Sequence, residues 1–372
     1  MGLIGMKITR ISIHQVDLPL REGTYSWSGG KSIKAYDSTV VRLETDAGVV
    51  GHGEVCPLGP AYLPVYAAGV RSGLAELAPH LIGHDPTRIG VINRLMDERM
   101  KGHPYVKSGL DMACWDILGL ATGVPVSTLL GGCHGEAVKV YRAISQDTPE
   151  RMVERVALFR GEGFRHFQIK VGGDPALDIA RIRAVAESLE PGEVLVADAN
   201  TSWLPHQAAR VVRAIEDIDL YLEQPCLGYG ECLGIRRRTS RPFILDETID
   251  GIAVLLRAHA DRAMDIVNIK LSKVGGLHVA RQMRDLCVAM GLAMTIEDSG
   301  GSDIVTAAIA HLAHSTPEAF RFSSSDVSGY NTVSVADDGP KHKAGWMKAP
   351  TAPGLGVTPR ADVLRAPVLT IG

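Results

Sequence analysis

The chain has 372 residues, 45% of them apolar and 22% charged, which suits a water-soluble globular protein with one large domain and a smaller one. Its formal net charge of -3 leaves no basic stripe for nucleic acid, and no apolar run approaches the roughly 18 residues that span a bilayer. Six cysteines (Cys56, Cys114, Cys133, Cys226, Cys232, Cys287) are scattered without a C-x-x-C pair, so they form neither a zinc pattern nor a disulfide framework, and reduced thiols in a cytoplasmic protein are expected.

Residues Met1 to Met6 lack the charged start and long apolar stretch of a signal peptide. Met6 directly precedes strand-like sequence, so residues 1–5 read as an extra start. Lys7 to Val16 alternates, with Ile8, Ile11, Ile13 and Val16 among polar residues, and Ser38 to Leu43 and Val49 to Val55 follow as strands. A Gly/Ser/aromatic loop holding Tyr25 and Trp27 lies between them, and a Gly/Pro loop holding Tyr62 comes after. Helical patterns then occupy about 65–80, 86–100 and 105–122. Strands followed by helices predict an α+β capping domain over residues 1–132.

From about residue 137 short apolar runs alternate with amphipathic helices. The runs end at Ser145, Lys170, Asp198, Glu223, Asp246, Lys270, Glu297 and Ser325, roughly 25 residues apart, the length of one strand-plus-helix unit. Among the helices, Val279, Met283, Leu286 and Met290 share one face. Eight such strands predict an α/β fold, a (β/α)7β TIM-like barrel over residues 133–330, with the segment 331–372 returning to complete the cap. An open doubly wound sheet is disfavoured because its Gly-rich phosphate loop is missing.

Residues at the C-terminal ends of barrel strands converge on one mouth. From unit two to unit six those ends read Lys170, Asp198, Glu223, Asp246, Lys270. Three adjacent carboxylates repel one another unless a cation sits among them, and oxygen ligands from separate strands suit a hard ion such as Mg²⁺. A proton next to a carboxylate is weakly acidic, because its loss puts a second charge on that group. A metal on the carboxylate stabilises that charge, while a lysine of lowered pKa serves as base and a second lysine works from the opposite face.

The chain resembles the mandelate racemase/muconate lactonizing enzyme family of the enolase superfamily over nearly its whole length. The shared text includes Ser108–Gly119, Asp198-Ala199-Asn200, Glu223-Gln224-Pro225, Asp246-Glu247 and Asn268 to Gly276. Metal-assisted lysine chemistry in that superfamily is a known pattern. The resemblance implies Asp198, Glu223 and Asp246 as ligands of one Mg²⁺, Lys170 and Lys270 as catalytic lysines, and Asn200, Glu247 and Gln168 as residues orienting them. Lys273 is the rival to Lys270, placed by the motif's register in the following loop. The family often has Lys-x-Lys on strand two, where this chain has Gln168-Ile169-Lys170. With that cation missing, another positive group must depress Lys170, or the working pH is higher.

Within the family the chain is similar to enzymes acting on hydroxyprolines and their betaines. A betaine nitrogen wants an aromatic cage, and the ends of strands seven and eight carry Asp298 and Asp326 but no aromatic residue. A secondary ammonium is therefore expected. The resemblance implies dehydration of cis-3-hydroxy-L-proline, with competing 2-epimerisation. A 2-epimerase of proline betaines, other N-substituted amino acids or dipeptides is the alternative. Asp298 is the candidate for the amine, Asp326, Tyr62, Trp27 and Tyr25 are candidate substrate contacts, and His52 and Cys56 read as bystanders. The partner implied is a small amino-acid substrate, with no nucleic acid or membrane, in a homo-oligomer.

Overall fold

The computed structural model describes residues 5–372. Residues 1–4, most of the segment read as an extra start, lie outside the described residues. The chain begins with an antiparallel meander of β1 (Ile8–Pro19), β2 (Ala35–Thr45) and β3 (Val50–Val55). Ile11 faces Leu43 and Ile13 faces Val41 across β1 and β2, and all four are fully buried. This apolar face is covered by the helix Pro104–Thr122, which starts with a proline in its first turn and stops at Gly123 in the left-handed conformation (φ 72°). Gly51 and Gly53 of β3 let the helix backbone lie directly on the strand: a Cβ at Gly53 would stand 2.0 Å from the carbonyl oxygen of Gly109.

Eight parallel strands follow: β4 (Arg142–Ile144), β5 (His166–Lys170), β6 (Val194–Asp198), β7 (Tyr221–Glu223), β8 (Phe243–Leu245), β9 (Ile266–Lys270), β10 (Ala293–Glu297) and β11 (Arg321–Ser324). They pair in sequence order. The ring is closed between its ends by one backbone bond, Tyr141 N–H to Ser324 O at 3.0 Å. Each of the seven strand-to-strand connections carries a helix on the outside, including Pro149–Gly161, Pro175–Glu187 and Asp303–His314. This is the (β/α)7β arrangement. Thr148 and Asp174 cap the first two helices with their side-chain oxygens.

Strand residues two apart face the same side, so inward positions run from an apolar floor to a charged rim. Val196, Ile244 and Ile266 pack with Tyr221, Ala293 and Phe322 at the closed end. Two or four residues further along the same strands stand Asp198, Asp246, Lys270, Glu223 and Glu297.

Three details differ from the sequence expectation. The apolar run 138–145 is split: Arg142–Ile144 joins the barrel, while Val138–Lys139 pairs with Trp346–Met347 outside it. Asp246 and Ser325 lie one residue past their strands. On the helix Leu277–Met290 the buried stripe is Leu277, Ala280, Met283, Arg284 and Cys287, whereas Val279, Leu286 and Met290 are half-buried.

The C-terminal segment runs back over the first elements. Leu355 N–H donates to Asp116 Oδ1 at 2.7 Å, and β12 (Leu369–Ile371) pairs antiparallel with β1. The meander is joined to the barrel through Glu54. Its buried carboxylate accepts from Ser38 Oγ (2.6 Å), Ser302 N (2.8 Å), Ser302 Oγ (2.7 Å) and Val305 N (3.1 Å), at the start of the helix Asp303–His314. No helix among the described residues is long and apolar enough to cross a membrane.

Candidate active site

The strand register sets the rim. Lys170 is the ladder partner of Asp198, Asp198 of Glu223, and Lys270 of Glu297. The two lysines therefore sit on β5 and β9, with three carboxylate-bearing strands between them. Lys170 Nζ bonds Asp198 Oδ2 (2.5 Å) and Gln168 Oε1 (2.7 Å). Lys270 Nζ bonds Asp246 Oδ2 and lies 3.1 Å from Glu297 Oε1. Lys273 stands in the helical turn Leu271–Val274, outside the cavity lining, and donates to Asp246 Oδ1 at 2.9 Å.

Burial alone would lower the Lys170 ammonium, but the Asp198 carboxylate, with Tyr25 and Glu223, holds it well above the ordinary lysine value. Burial likewise opposes charge on Lys270, and Asp246 and Glu297 outweigh it. The groups that meet Lys170 here are carboxylates, a phenol and an amide, so the further positive group that the sequence reading asks for, as one of its two alternatives, is not among these neighbours. Burial raises Asp246, yet Lys270 and Lys273 bring it well below the usual carboxylate range. Glu223 has no lysine bond, and burial together with Asp198 and Asp246 pushes it well up.

Asp198, Glu223 and Asp246 are each about 1% exposed. As arranged, no three His, Cys, Asp or Glu side chains among the described residues converge as a metal cage, since these carboxylates turn to lysines and amides. Their donor chemistry suits a hard divalent ion, being all oxygen and from three separate strands. Three further buried oxygens around them, Asn200 Oδ1, Glu247 Oε2 and Asn268 Oδ1, have no hydrogen-bond donor. Unpaired acceptors of that kind fit a cation and its water ligands. Asn200 Nδ2 bridges Asp198 Oδ2 (2.8 Å) and Glu247 Oε1 (3.1 Å), and burial raises Glu247 to about 8. Asn268 Nδ2 holds Glu223 Oε1 at 2.7 Å and Gln168 Nε2 holds Oε2 at 2.8 Å.

Above the rim lies a small cavity. Lys170, Lys270, Gln168, Asn200, Asp298, Tyr62, Tyr25 and Trp27 all line it, so the structure brings these sequence-selected residues together. Tyr62 O–H donates to Asp246 Oδ2 at 3.0 Å, and its ring lies under Lys270 Nζ at 5.4 Å. Tyr25 stacks on Trp27 with centroids 6.0 Å apart. His52 and Cys56 are absent from the lining.

Asp326 is not brought to the cavity. It turns into the chain, accepts from Gly329 N at 2.9 Å, and lies 3.8 Å from His342 Nε2. Its short side chain is used to cap the turn Val327–Tyr330. Asp298 lines the cavity, but its carboxylate is taken up by Ser272 and Ser299. Burial raises it to about 6. The sequence reading missed Tyr141, Glu297 and Tyr330 as cavity residues. Glu297 was legible as a strand end. Tyr141 and Tyr330 reach the site only because the first and last barrel segments meet.

Comparison with known proteins agrees with this geometry. The mandelate racemase / muconate lactonizing enzyme N-terminal domain family matches residues 29–131, and the enolase C-terminal domain-like family matches residues 151–363. A cis-3-hydroxy-L-proline dehydratase from Roseibium aggregatum is 58% identical over 363 residues, covering 98% of this chain and 99% of that protein. A crystal structure of a mandelate racemase/muconate lactonizing enzyme from Roseovarius nubinhibens superposes with a TM-score of 0.95 at 43% identity, over 98% of each chain. An enolase superfamily member from the same organism, solved with magnesium, gives 0.92 at 41% identity, over 98% of this chain and 99% of that one. The chain belongs to the mandelate racemase/muconate lactonizing enzyme family, and it is an enzyme of the enolase superfamily.

Proposed function

We propose that the enzyme dehydrates cis-3-hydroxy-L-proline to Δ1-pyrroline-2-carboxylate, with 2-epimerisation as a competing outcome. The observation that carries the reading is the pair Lys170 and Lys270, on β5 and β9, lining one small cavity. The identity of 58% to a dehydratase of that name supports the substrate.

Asp198, Glu223 and Asp246 would hold one Mg²⁺ per subunit, which would supply positive charge to a substrate carboxylate as it takes up a second negative charge. The chain's own residues do the rest. In cis-3-hydroxy-L-proline the alpha proton and the 3-hydroxyl lie on opposite ring faces. One lysine takes the alpha proton. The electron pair left at C2 forms the C2=C3 bond as the C3–O bond breaks, and the other lysine protonates the departing oxygen to give water. The resulting enamine tautomerises to the cyclic imine. Gln168 and Asn200 orient Lys170 and Asp198, and Glu247 supports Asn200. Tyr62, Tyr25 and Trp27 wall off the ring from solvent.

A second reading, a proline betaine 2-epimerase, gains support from one observation. Strand ends seven and eight offer no aromatic residue to a quaternary nitrogen, yet Tyr25, Trp27, Tyr36 and Tyr62 reach the cavity from the cap. Proton NMR in D₂O with Mg²⁺ separates the two. Loss of the alpha proton of cis-3-hydroxy-L-proline with appearance of the pyrroline carboxylate is expected. Exchange and inversion of a proline betaine, with cis-3-hydroxy-L-proline untouched, would replace the dehydratase reading by the epimerase. The reading further places the enzyme in the cytoplasm as a homo-oligomer; its free cysteines, five of them buried, suit a reducing compartment.

A further inference from the structure

We infer that Glu297, and not Asp298, receives the ring ammonium of the substrate. The inference rests on the reading that an amino acid lies between Lys170 and Lys270 with its carboxylate toward Asp198, Glu223 and Asp246. Those three come from β6 to β8, so the substituents of the alpha carbon point to the opposite arc of the ring, formed by β10, β11 and β4. Two carboxylates line the cavity, and both belong to that arc: Glu297 and Asp298.

Their oxygens are not equally free. Asp298 Oδ1 accepts from Ser272 Oγ and from Ser299 N–H (2.7 Å), and its Oδ2 accepts from Ser272 N–H at 2.8 Å. These bonds tie it to the turn after β9 and to its own loop. Glu297 is the last inward position of β10, following Ala293 and Thr295 at the spacing of two. Its Oε2 accepts from the Tyr141 hydroxyl, and its Oε1 faces Lys270 Nζ at 3.1 Å. Each oxygen keeps a lone pair for a further donor, whereas Asp298 keeps one on Oδ2 alone. Glu297 is also 1% exposed, so an N–H donated to it faces little competition from water.

A secondary ammonium brings two such N–H groups with its charge, while a quaternary nitrogen brings the charge and no N–H. Glu297 thereby selects unmethylated ring amino acids over their betaines at a point the aromatic walls cannot discriminate. Tyr141 acts as its positioning residue, fixing the carboxylate from the far side of the ring closure.

The test measures binding, by calorimetry on the magnesium-loaded enzyme. L-proline carries the ammonium but no 3-hydroxyl to lose, and tetrahydrofuran-2-carboxylate replaces the ring nitrogen by oxygen. Wild type is expected to prefer proline by about 10- to 100-fold, the worth of a charge-assisted hydrogen bond. Glu297→Gln shrinks that preference to a few-fold, and Asp298→Asn keeps it. Equal binding of the two ligands by wild type overturns the inference, and this arm needs no variant to fold. Collapse of the preference in Asp298→Asn alone also overturns it. A preference lost in Glu297→Gln, together with a magnesium-loaded wild type that fails to dehydrate cis-3-hydroxy-L-proline, removes the substrate reading and leaves the ammonium site standing.

Discussion

Gln168 holds Lys170 by accepting from its Nζ at 2.7 Å, while its amide nitrogen donates to Glu223 Oε2 at 2.8 Å. One neutral side chain thus couples a lysine on β5 to a carboxylate two strands away on β7, at the position where related chains often carry a second lysine. Gln168→Ala removes both bonds and leaves a buried carboxylate oxygen without its donor. We expect kcat/KM to fall about 10- to 100-fold, the usual loss when an orienting partner is removed. Steady-state kinetics check this, and a value within twofold of wild type would take Gln168 out of the machinery.

Lys170→Ala and Lys270→Ala are each expected to lower dehydration by at least about 100-fold, the low end for loss of a general acid or base. Chelation with EDTA stops the reaction in wild type, and added Mg²⁺ restores it. Activity that survives exhaustive chelation would remove the metal from the mechanism.

Asp111 ties the helix Pro104–Thr122 to the first turn of the helix Leu277–Met290, accepting from Asn93 Nδ2 (2.7 Å) and His278 N (3.1 Å). Burial raises it from 3.8 to about 7. The folded state therefore binds this proton more tightly than the unfolded chain, so stability is greatest while Asp111 is protonated. It declines as pH rises from the unfolded value toward about 7. Asp111→Asn cannot ionise. Thermal melts from pH 5 to 8 should show a shallower decline for the variant, and parallel curves would rule the group out as a source of the slope.

Glu54 satisfies four donors on two separate structural layers. Glu54→Ala leaves backbone N–H groups at the start of the helix Asp303–His314 unpaired and buried. A loss of about 3–5 kcal/mol is expected, as when one partner of a buried polar cluster is deleted. Urea denaturation measures it. A change below about 0.5 kcal/mol, the scale of an ordinary surface substitution, would mean that water replaces the carboxylate.

Much of the site was legible in the chain. The interval of about 25 residues between apolar runs and the polar residue closing each run identified the barrel. They also marked Lys170, Asp198, Glu223, Asp246 and Lys270. Strand alternation separated Lys270 from Lys273, which the structure places behind Asp246. Glu297 was visible as a strand end, yet nothing local distinguished it from Asp298. The difference lies in which oxygens are already bonded, and those partners come from another strand and its following turn. Asp326 failed for the same reason, since its carboxylate is consumed by its own turn.

The sequence by itself determined the order of the barrel strands and helices and, to within one residue, where each barrel strand ends, because a period of two or 3.6 is written within a few neighbours. Tertiary structure alone decided which side chains share the cavity. Tyr141 and Glu297 are 156 residues apart, and Glu54 and Ser302 are 248 apart. Such contacts exist only once the ring has closed and the cap has docked. Strand register sets the nearest charge in the same way, bringing Asp198 of the neighbouring strand against Lys170.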